Sequence, residues 1–151
     1  MRPLRIAPQT RPDWRAGRLN IVIGALSSDA HTWNLVFLQL LLEELGHRVR
    51  NLGPCVPDEV VVQACREHPV DLLLVTSING HGVQDGKSLI RAVRNRPELA
   101  SVPVAIGGLL DTDGTGHRAE LLDAGFDAVF EGGAGTGALT TYLGALCSRS
   151  A

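Results

Sequence analysis

The sequence predicts an α/β domain in which a doubly wound, five-stranded parallel sheet is covered by helices on both faces. Short apolar runs alternate along the chain with segments of helical periodicity, which is the order expected of such a sheet. One run, Leu72-Leu73-Leu74-Val75, shows no alternation of apolar and polar residues, and strands of this kind are buried on both faces. A flavodoxin-like (Rossmann-like) strand order, 2-1-3-4-5, is the common arrangement for this number of strands.

The first half of the chain divides into three strands and two helices. Strands are predicted over residues 21–26, 47–52 and 71–76, where apolar residues concentrate, and helices over 33–45 and 57–67. Gly46 supplies the left-handed residue that commonly ends a helix. Pro57 suits the first turn of a helix, because a backbone N–H at that position would have no acceptor within the helix.

The second half continues the same alternation with shorter strands. Helices are predicted from about residue 84 to 94, over 116–124 and over 136–147, and strands over 102–106 and 128–130. Each strand is thus followed by a helix, which completes the pattern of a doubly wound sheet.

Composition excludes several classes of protein. The 151 residues are 44% hydrophobic and 20% charged, which is typical of a globular domain. A net charge of −2 gives no electrostatic basis for binding nucleic acid or an anionic membrane, and no apolar run is long enough to span a bilayer. Three cysteines without C-x-x-C spacing indicate free thiols in a reducing cytoplasm.

The chain is expected to consist of one domain with a short tail at each end. The Arg- and Pro-rich residues 1–18 form either a flexible tail or an arm that docks on a partner, and the domain covers residues 19–147. Residues 148–151 are expected to form the second tail.

Small and polar residues follow four of the predicted strands. Residues 27–32, 76–82, 107–113 and 131–135 are rich in Gly, Ser, Thr, Asp and His. The carboxyl ends of parallel strands meet at one edge of the sheet, where α/β domains bind their ligands. Glycines at this edge let the backbone approach a large ligand closely. The sequence therefore predicts a ligand site there.

Asp29 and His31 lie two residues apart in the loop after the first strand. A histidine that binds a metal usually donates its other ring N–H to a carboxylate, which fixes the orientation of the ring. The alternative is that Asp29 caps the following helix and His31 is a surface residue. No other His or Cys lies at zinc-ligand spacing, and a single His ligand makes sense if the metal is already held by a macrocycle.

The remaining candidates have ordinary structural explanations. His47, His68 and His117 are expected to be solvated at helix ends, and Cys55 and Cys65 to be buried or half-buried. Residues 33–42 are apolar nearly all round, so this helix is either wedged between the sheet and its neighbours or meets a second protein. The glycine-rich residues 132–137 lack the Lys-Ser/Thr ending of a phosphate loop.

Taken together, these stretches resemble the cobalamin-binding domain family, whose motif is D-x-H-x-x-G after the first strand, S-x-L after the third and G-G after the fourth. The segment Asp29-Ala30-His31-Thr32-Trp33-Asn34 matches the Asp and the His, Thr76-Ser77-Ile78 matches S-x-L conservatively, and Gly107-Gly108 matches outright. The resemblance extends from about residue 19 to residue 146. Asn34 departs from the motif, because it stands where the family has glycine and adds bulk and two polar functions.

The resemblance implies that His31 replaces the lower axial base of cobalamin on cobalt, with Asp29 hydrogen-bonded to its other ring nitrogen. The displaced nucleotide tail would lie between the sheet and the first helix. The implied cofactor-binding residues are Ser28, Asp29, Ala30, His31, Thr32, Asn34, Thr76, Ser77, Ile78, Gly80, Gly107, Gly108, Leu109, Leu110, Asp111 and Gly133. Beyond the cobalt ligand, no residue of this chain is expected to take part in catalysis.

Three functions agree with the resemblance. The leading one is the small subunit of an adenosylcobalamin-dependent carbon-skeleton mutase, by resemblance glutamate mutase (L-glutamate to threo-3-methylaspartate), which acts with a larger barrel-type subunit. The second is a corrinoid carrier for methyl transfer, although such carriers have a helical cap that residues 1–20 are expected to be too few to form. The third is a cobalamin-dependent sensor.

A response-regulator receiver, which has the same fold, is set aside. A receiver needs an acceptor Asp at the end of the third strand, where Thr76-Ser77 stand. It also needs a Lys after the fifth strand, where Glu131 stands.

Overall fold

The computed structural model describes residues 17–108, 116–131 and 135–150 of the chain. Its strands are β1 (Asn20–Ala25), β2 (Arg48–Asn51), β3 (Leu72–Thr76), β4 (Val104–Gly108) and β5 (Ala128–Glu131). Its helices are α1 (Trp33–Glu44), α2 (Asp58–Glu67), α3 (Gly82–Arg94), α4 (Arg118–Ala124) and α5 (Gly135–Ser150), with a 3₁₀ turn over Pro97–Leu99. All the predicted elements are present, although their ends differ by a few residues. The largest difference is in α5, which continues to Ser150 instead of ending at Cys147.

Within the described residues, the five strands form one parallel sheet in the predicted order, β2-β1-β3-β4-β5. Thr76 at the end of β3 pairs with Ala25 of β1 on one side and with Gly107 of β4 on the other. The carboxyl ends of these three strands are therefore level, and the loops after β1 and β3 meet at the same edge. The fold class predicted from the sequence is confirmed.

Each face of the sheet has its own apolar core. Leu73 and Val75 of β3 belong to the core that α2, α3 and α4 cover, whereas Leu72 and Leu74 belong to the core that α1 and α5 cover. Successive strand residues point to opposite faces, so a strand covered on both sides needs an unbroken apolar run. The burial of every residue of β3 agrees with this requirement.

Helix α1 is only partly covered by the rest of the domain. Leu35 and Leu42 are fully buried, but Trp33, Phe37 and Leu40 are 84%, 55% and 61% exposed. The last three side chains lie on one side of the helix, because their spacing is i, i+4 and i+7. Of the two explanations for the apolar helix, this arrangement favours a face that meets another protein. None of the helices in the described ranges is both long and apolar enough to cross a bilayer.

The predicted exposure of His47 and the predicted burial of Cys55 are both wrong. His47 is buried, not solvated, and its Nδ1 accepts a hydrogen bond from the backbone N–H of Leu19 at 3.2 Å. Burial, with a smaller contribution from Arg18, lowers the pKa of His47, so the neutral ring can accept this bond. Cys55 is exposed. Cys65 is buried as expected, and burial raises the pKa of its thiol to about 11.

Candidate functional site

The loop between β1 and α1 buries the carboxylate of Asp29 beneath His31. The backbone N–H of Asp29 donates to the carbonyl of Leu26 at 2.9 Å, and the N–H of Cys55 donates to the carbonyl of Asp29 at 2.8 Å. The side chain of Asp29 is 0% exposed, whereas that of His31 is 54% exposed. An aspartate anchored in the protein thus supports a histidine that a ligand can reach.

Within the described residues, the carboxylate of Asp29 accepts three hydrogen bonds. Oδ1 accepts from the backbone N–H of His31 at 2.8 Å and lies 2.7 Å from Nδ1 of the same residue. Oδ2 accepts from the backbone N–H of Ile78, in the loop after β3, at 2.5 Å. The N-cap residue of α1 is Thr32, and the donors to Asp29 belong to His31 and Ile78, which lie outside the helix. The explanation of Asp29 as a helix cap is therefore wrong.

The charge of Asp29 fixes the tautomer of His31. Burial by itself would raise the pKa of Asp29, but the N–H groups of His31 and Ile78 and the His31 ring outweigh it, so the pKa is lowered. An ionised carboxylate only accepts hydrogen bonds, so Nδ1 of His31 carries the proton. Nε2 then has the free lone pair and is available as a metal ligand. The contacts of the ionised Asp29 carboxylate contribute their full stability above pH 3.8, the ordinary pKa of an aspartate. This stability is lost as the pH falls through the lowered pKa of Asp29 in the folded protein.

A second network of hydrogen bonds joins the loops after β1 and β3. The side-chain amide of Asn79 donates to the carbonyl oxygen of Ser28 at 2.9 Å and to its hydroxyl at 3.0 Å. Oδ1 of Asn79 accepts from the Ser77 hydroxyl at 3.0 Å, and the Ser28 hydroxyl donates to Asp85 of α3. Asn79 and Asp85 were missed by sequence reasoning. An Asn after a strand is a turn signal, but a bond to a residue 51 positions away has no signature in the sequence.

A cavity of about 260 Å³ lies between α1, α5 and the sheet. Its apolar walls are formed by Phe37, Leu38, Leu74, Phe130 and Leu139. Its polar groups lie near the carboxyl edge of the sheet: Asn34 in the first turn of α1, Thr76 at the end of β3 and Thr136 at the start of α5. A mostly apolar cavity with a few polar groups is the usual form of an organic ligand site.

Gly108 lets β4 approach the loop after β3 very closely. Its φ is +114°, a conformation that residues with a side chain rarely adopt. A Cβ atom at this position would lie 2.2 Å from the carbonyl oxygen of Ser77. Gly107 and Gly108 both line the cavity, so the pair has a steric role at the predicted site.

The structure brings many of the predicted cofactor-binding residues together. Those that line the cavity are Asn34, Thr76, Ile78, Gly107 and Gly108. Those exposed on the loop around buried Asp29 are Ser28, Ala30, His31 and Thr32. Ser77 and Gly80 do not line the cavity, since the Ser77 hydroxyl binds Asn79 and Gly80 turns the loop with a φ of +86°. Leu109, Leu110, Asp111 and Gly133 lie outside the described residues.

Comparison with known proteins gives a sequence family. The B12 binding domain family matches residues 19–140, a range that includes Asp29, His31 and every described residue that lines the cavity. A glutamate mutase sigma subunit from Halobacterium salinarum is 32% identical over 117 residues, and the match covers 73% of this chain and 74% of that relative.

Solved structures with the same fold come from more than one functional class. The monomethylamine corrinoid protein of Methanosarcina barkeri is similar with a TM-score of 0.70 at 20% identity, over 85% of this chain and 58% of that one. A signal receiver domain of a histidine kinase from Syntrophus aciditrophicus is similar with a TM-score of 0.65 at 19% identity, over 87% of this chain and 91% of that one. At these identities the likeness shows the fold alone, so function has to be argued from the site and the sequence relatives.

Proposed function

The chain belongs to the B12-binding domain family, and we propose that it is the cobalamin-binding small subunit of a glutamate mutase-like enzyme in the cytoplasm. The proposed reaction is the adenosylcobalamin-dependent conversion of L-glutamate to threo-3-methylaspartate, with a larger barrel-type subunit as partner. The observation that carries the proposal is the buried Asp29 carboxylate on Nδ1 of exposed His31. Ile78 connects this pair to the cavity, because its N–H donates to Asp29 and the residue also lines the cavity.

The described residues fit a corrinoid with a displaced nucleotide tail. His31 would bind cobalt through Nε2. In the part of the chain that the structure describes, no three His, Cys, Asp or Glu side chains are grouped to hold a metal ion, so the single histidine suits a metal already held by a macrocycle. The apolar walls of the cavity suit a flat base, and its polar end suits the sugar and linker of a nucleotide tail. The other residues implied by the family resemblance, including those outside the described ranges, stay predicted contacts.

Adenosylcobalamin supplies radical chemistry when bound, and the protein supplies binding and orientation. Asp29 holds the proton on Nδ1 of His31 and keeps the ring in one orientation, so that Nε2 remains available as a ligand. The bonds of Ile78 and Asn79 hold the loops after β1 and β3 together. The position of Asp29 is thereby fixed before any ligand arrives.

Replacing Asp29 with Asn is expected to lower the affinity for cobalamin by about 10–100-fold. An amide offers a single acceptor oxygen, so at least one of the three N–H donors around this residue loses its acceptor. The measurement is an absorbance titration with hydroxocobalamin of the wild type, Asp29→Asn, His31→Ala and the double variant.

The double variant separates the orientation of His31 from a general loosening of the loop. If Asp29 acts through His31, the Asp29→Asn change has little further effect once His31 is alanine. If the affinity losses of Asp29→Asn and His31→Ala add in full in the double variant, this role is contradicted, and Asp29 only stabilises the loop.

The exposed apolar face of α1 supports the proposal that the chain binds a protein partner. Trp33, Phe37 and Leu40 present large apolar side chains to solvent, and contiguous surfaces of this kind commonly mark interaction sites. Trp33 follows His31 by two residues, so the apolar face begins at the edge of the sheet that would bind the cofactor. Radical reactions also require exclusion of water, and a chain that holds the cofactor from one side leaves the other side to a partner.

Reconstitution tests the proposed function. The purified chain is mixed with adenosylcobalamin and a glutamate mutase large subunit, and 3-methylaspartate is measured. Product is expected only when all three components are present. Gel filtration should show a tighter complex when cobalamin is added, because binding of the partner and of the cofactor are linked. Turnover without the large subunit would contradict the proposal, as would a complete mixture that binds cobalamin without forming product.

A further inference from the structure

Among the described residues, only one of the two polar atoms of the Asn34 side-chain amide forms a hydrogen bond. Its Nδ2 donates to Oγ1 of Thr76 at 3.0 Å, which joins the first turn of α1 to the end of β3. Its Oδ1 is buried and has no hydrogen-bond partner among the described residues. Turning the amide over would exchange the two atoms and leave Nδ2 in the unpaired position. In either orientation, one buried polar atom lacks a partner among residues 17–108, 116–131 and 135–150, and such atoms are uncommon in folded proteins.

The position of Asn34 in the cavity indicates what could satisfy this atom. Asn34 and Thr76 line the cavity at the carboxyl edge of the sheet. Leu38 lies one helical turn further along α1, and Leu74 lies two residues earlier in β3, so the apolar walls are deeper. A ligand that enters from this edge passes the polar pair before it reaches the apolar walls.

The nucleotide tail of cobalamin has the same division of polarity. Its base is flat and largely apolar, and the part between the base and the corrin ring carries a sugar hydroxyl, a phosphate and an amide N–H. Oδ1 of Asn34 has almost no exposed surface, so the side chain has to turn towards the cavity before a hydroxyl or an amide N–H of the tail can donate to this atom. A glycine, which the family motif has at this position, offers no side-chain acceptor.

We propose that Asn34 is a specificity-determining residue for the nucleotide tail, and that its Oδ1 accepts a hydrogen bond from a tail hydroxyl or amide. This role rests on the proposed function and names the part of the corrinoid that the chain selects. Because the contact is made only to the tail, Asn34 favours complete cobamides over corrinoids that lack it.

A comparison of two corrinoids tests this role by binding alone. Cobalamin and cobinamide, which lacks the nucleotide tail, are titrated in their cobalt(II) forms against the wild type, Asn34→Gly and Asn34→Leu. The leucine variant keeps the approximate volume of the side chain and removes both polar atoms. Each variant is expected to bind cobalamin about tenfold more weakly, as for the loss of one buried hydrogen bond, and to bind cobinamide as the wild type does.

A matched control is Gln39→Leu, which removes another amide from α1. Gln39 bonds to Glu43 and Asn51 and does not line the cavity, so this change should leave both affinities unaltered. Equal losses for cobalamin and cobinamide in the Asn34 variants would show a general effect on α1 and overturn the inference. Unchanged or tighter binding of cobalamin would overturn it as well. A wild type that binds neither corrinoid through histidine would instead contradict the proposed function, and the inference with it.

Discussion

Replacing His31 with alanine is expected to weaken cobalamin binding by about a thousandfold and to abolish turnover of the reconstituted complex. Changes to a residue that only supports a metal ligand already cost about 10–100-fold in affinity, so loss of the ligand itself should cost more. Folding should be little affected, because the side chain is 54% exposed and surface substitutions usually change stability by less than about 0.5 kcal/mol. Asp29 keeps its two backbone N–H partners in the variant.

His81→Ala is the matched control for this variant. His81 is also an exposed histidine at the carboxyl edge of the sheet, and it precedes α3 as His31 precedes α1. It makes no bond to Asp29, so its replacement should leave cobalamin affinity near the wild-type value. Similar losses in the two variants would contradict the assignment of His31, as would near-normal affinity in His31→Ala.

Gly108→Ala is expected to destabilise the domain by roughly 4 kcal/mol, near the upper end of single substitutions. The new Cβ would lie 2.2 Å from the carbonyl oxygen of Ser77, and its backbone conformation, with φ of +114°, is unfavourable for alanine. Relief of the clash has to move β4 or the loop after β3. Because Ile78 follows Ser77 in that loop and binds Asp29, cobalamin affinity should fall together with stability.

Gly46→Ala isolates the conformational part of this effect. Gly46 has a φ of +96°, but a Cβ there would meet nothing within 4 Å. Its replacement should cost about 1–2 kcal/mol from backbone strain and leave cobalamin affinity unchanged. Denaturant unfolding and cobalamin titration of both variants supply the comparison. Equal losses of stability in Gly108→Ala and Gly46→Ala would mean that the clash with the Ser77 carbonyl oxygen does not destabilise the domain.

The elements of the fold were predictable because their signals are local. The unbroken apolar run of β3 indicates burial on both faces, and Gly46 ends α1 with the left-handed conformation expected of it. The strand order was predicted as the common arrangement for five strands that alternate with helices. The buried position of His47 was not predicted, because its hydrogen-bond partner, the N–H of Leu19, lies 28 residues earlier and leaves no mark on the sequence around His47.

In the candidate site, too, contacts between neighbours in the sequence were predictable and long-range contacts were not. The contact between Asp29 and His31 could be predicted because the two residues are neighbours in one loop. The bond from Ile78 to Asp29, 49 residues away, could not, although it decides that Asp29 faces inward. The Oδ1 atom of Asn34, which has no partner in the described part of the chain, is also positioned by packing between α1 and β3. Local spacing thus identifies the ligand pair, and only the assembled sheet shows how the pair is held.

Ligation of cobalt by His31 is tested most directly by electron paramagnetic resonance of the cobalt(II) form. The protein is produced with ¹⁵N-labelled histidine and loaded with unlabelled cobalamin. A histidine ligand should split each cobalt hyperfine line into a doublet, because ¹⁵N is a spin-half nucleus, and His31→Ala should lose this doublet. A triplet from ¹⁴N that persists in the labelled protein would show that the cofactor keeps its own lower base, and would contradict the account.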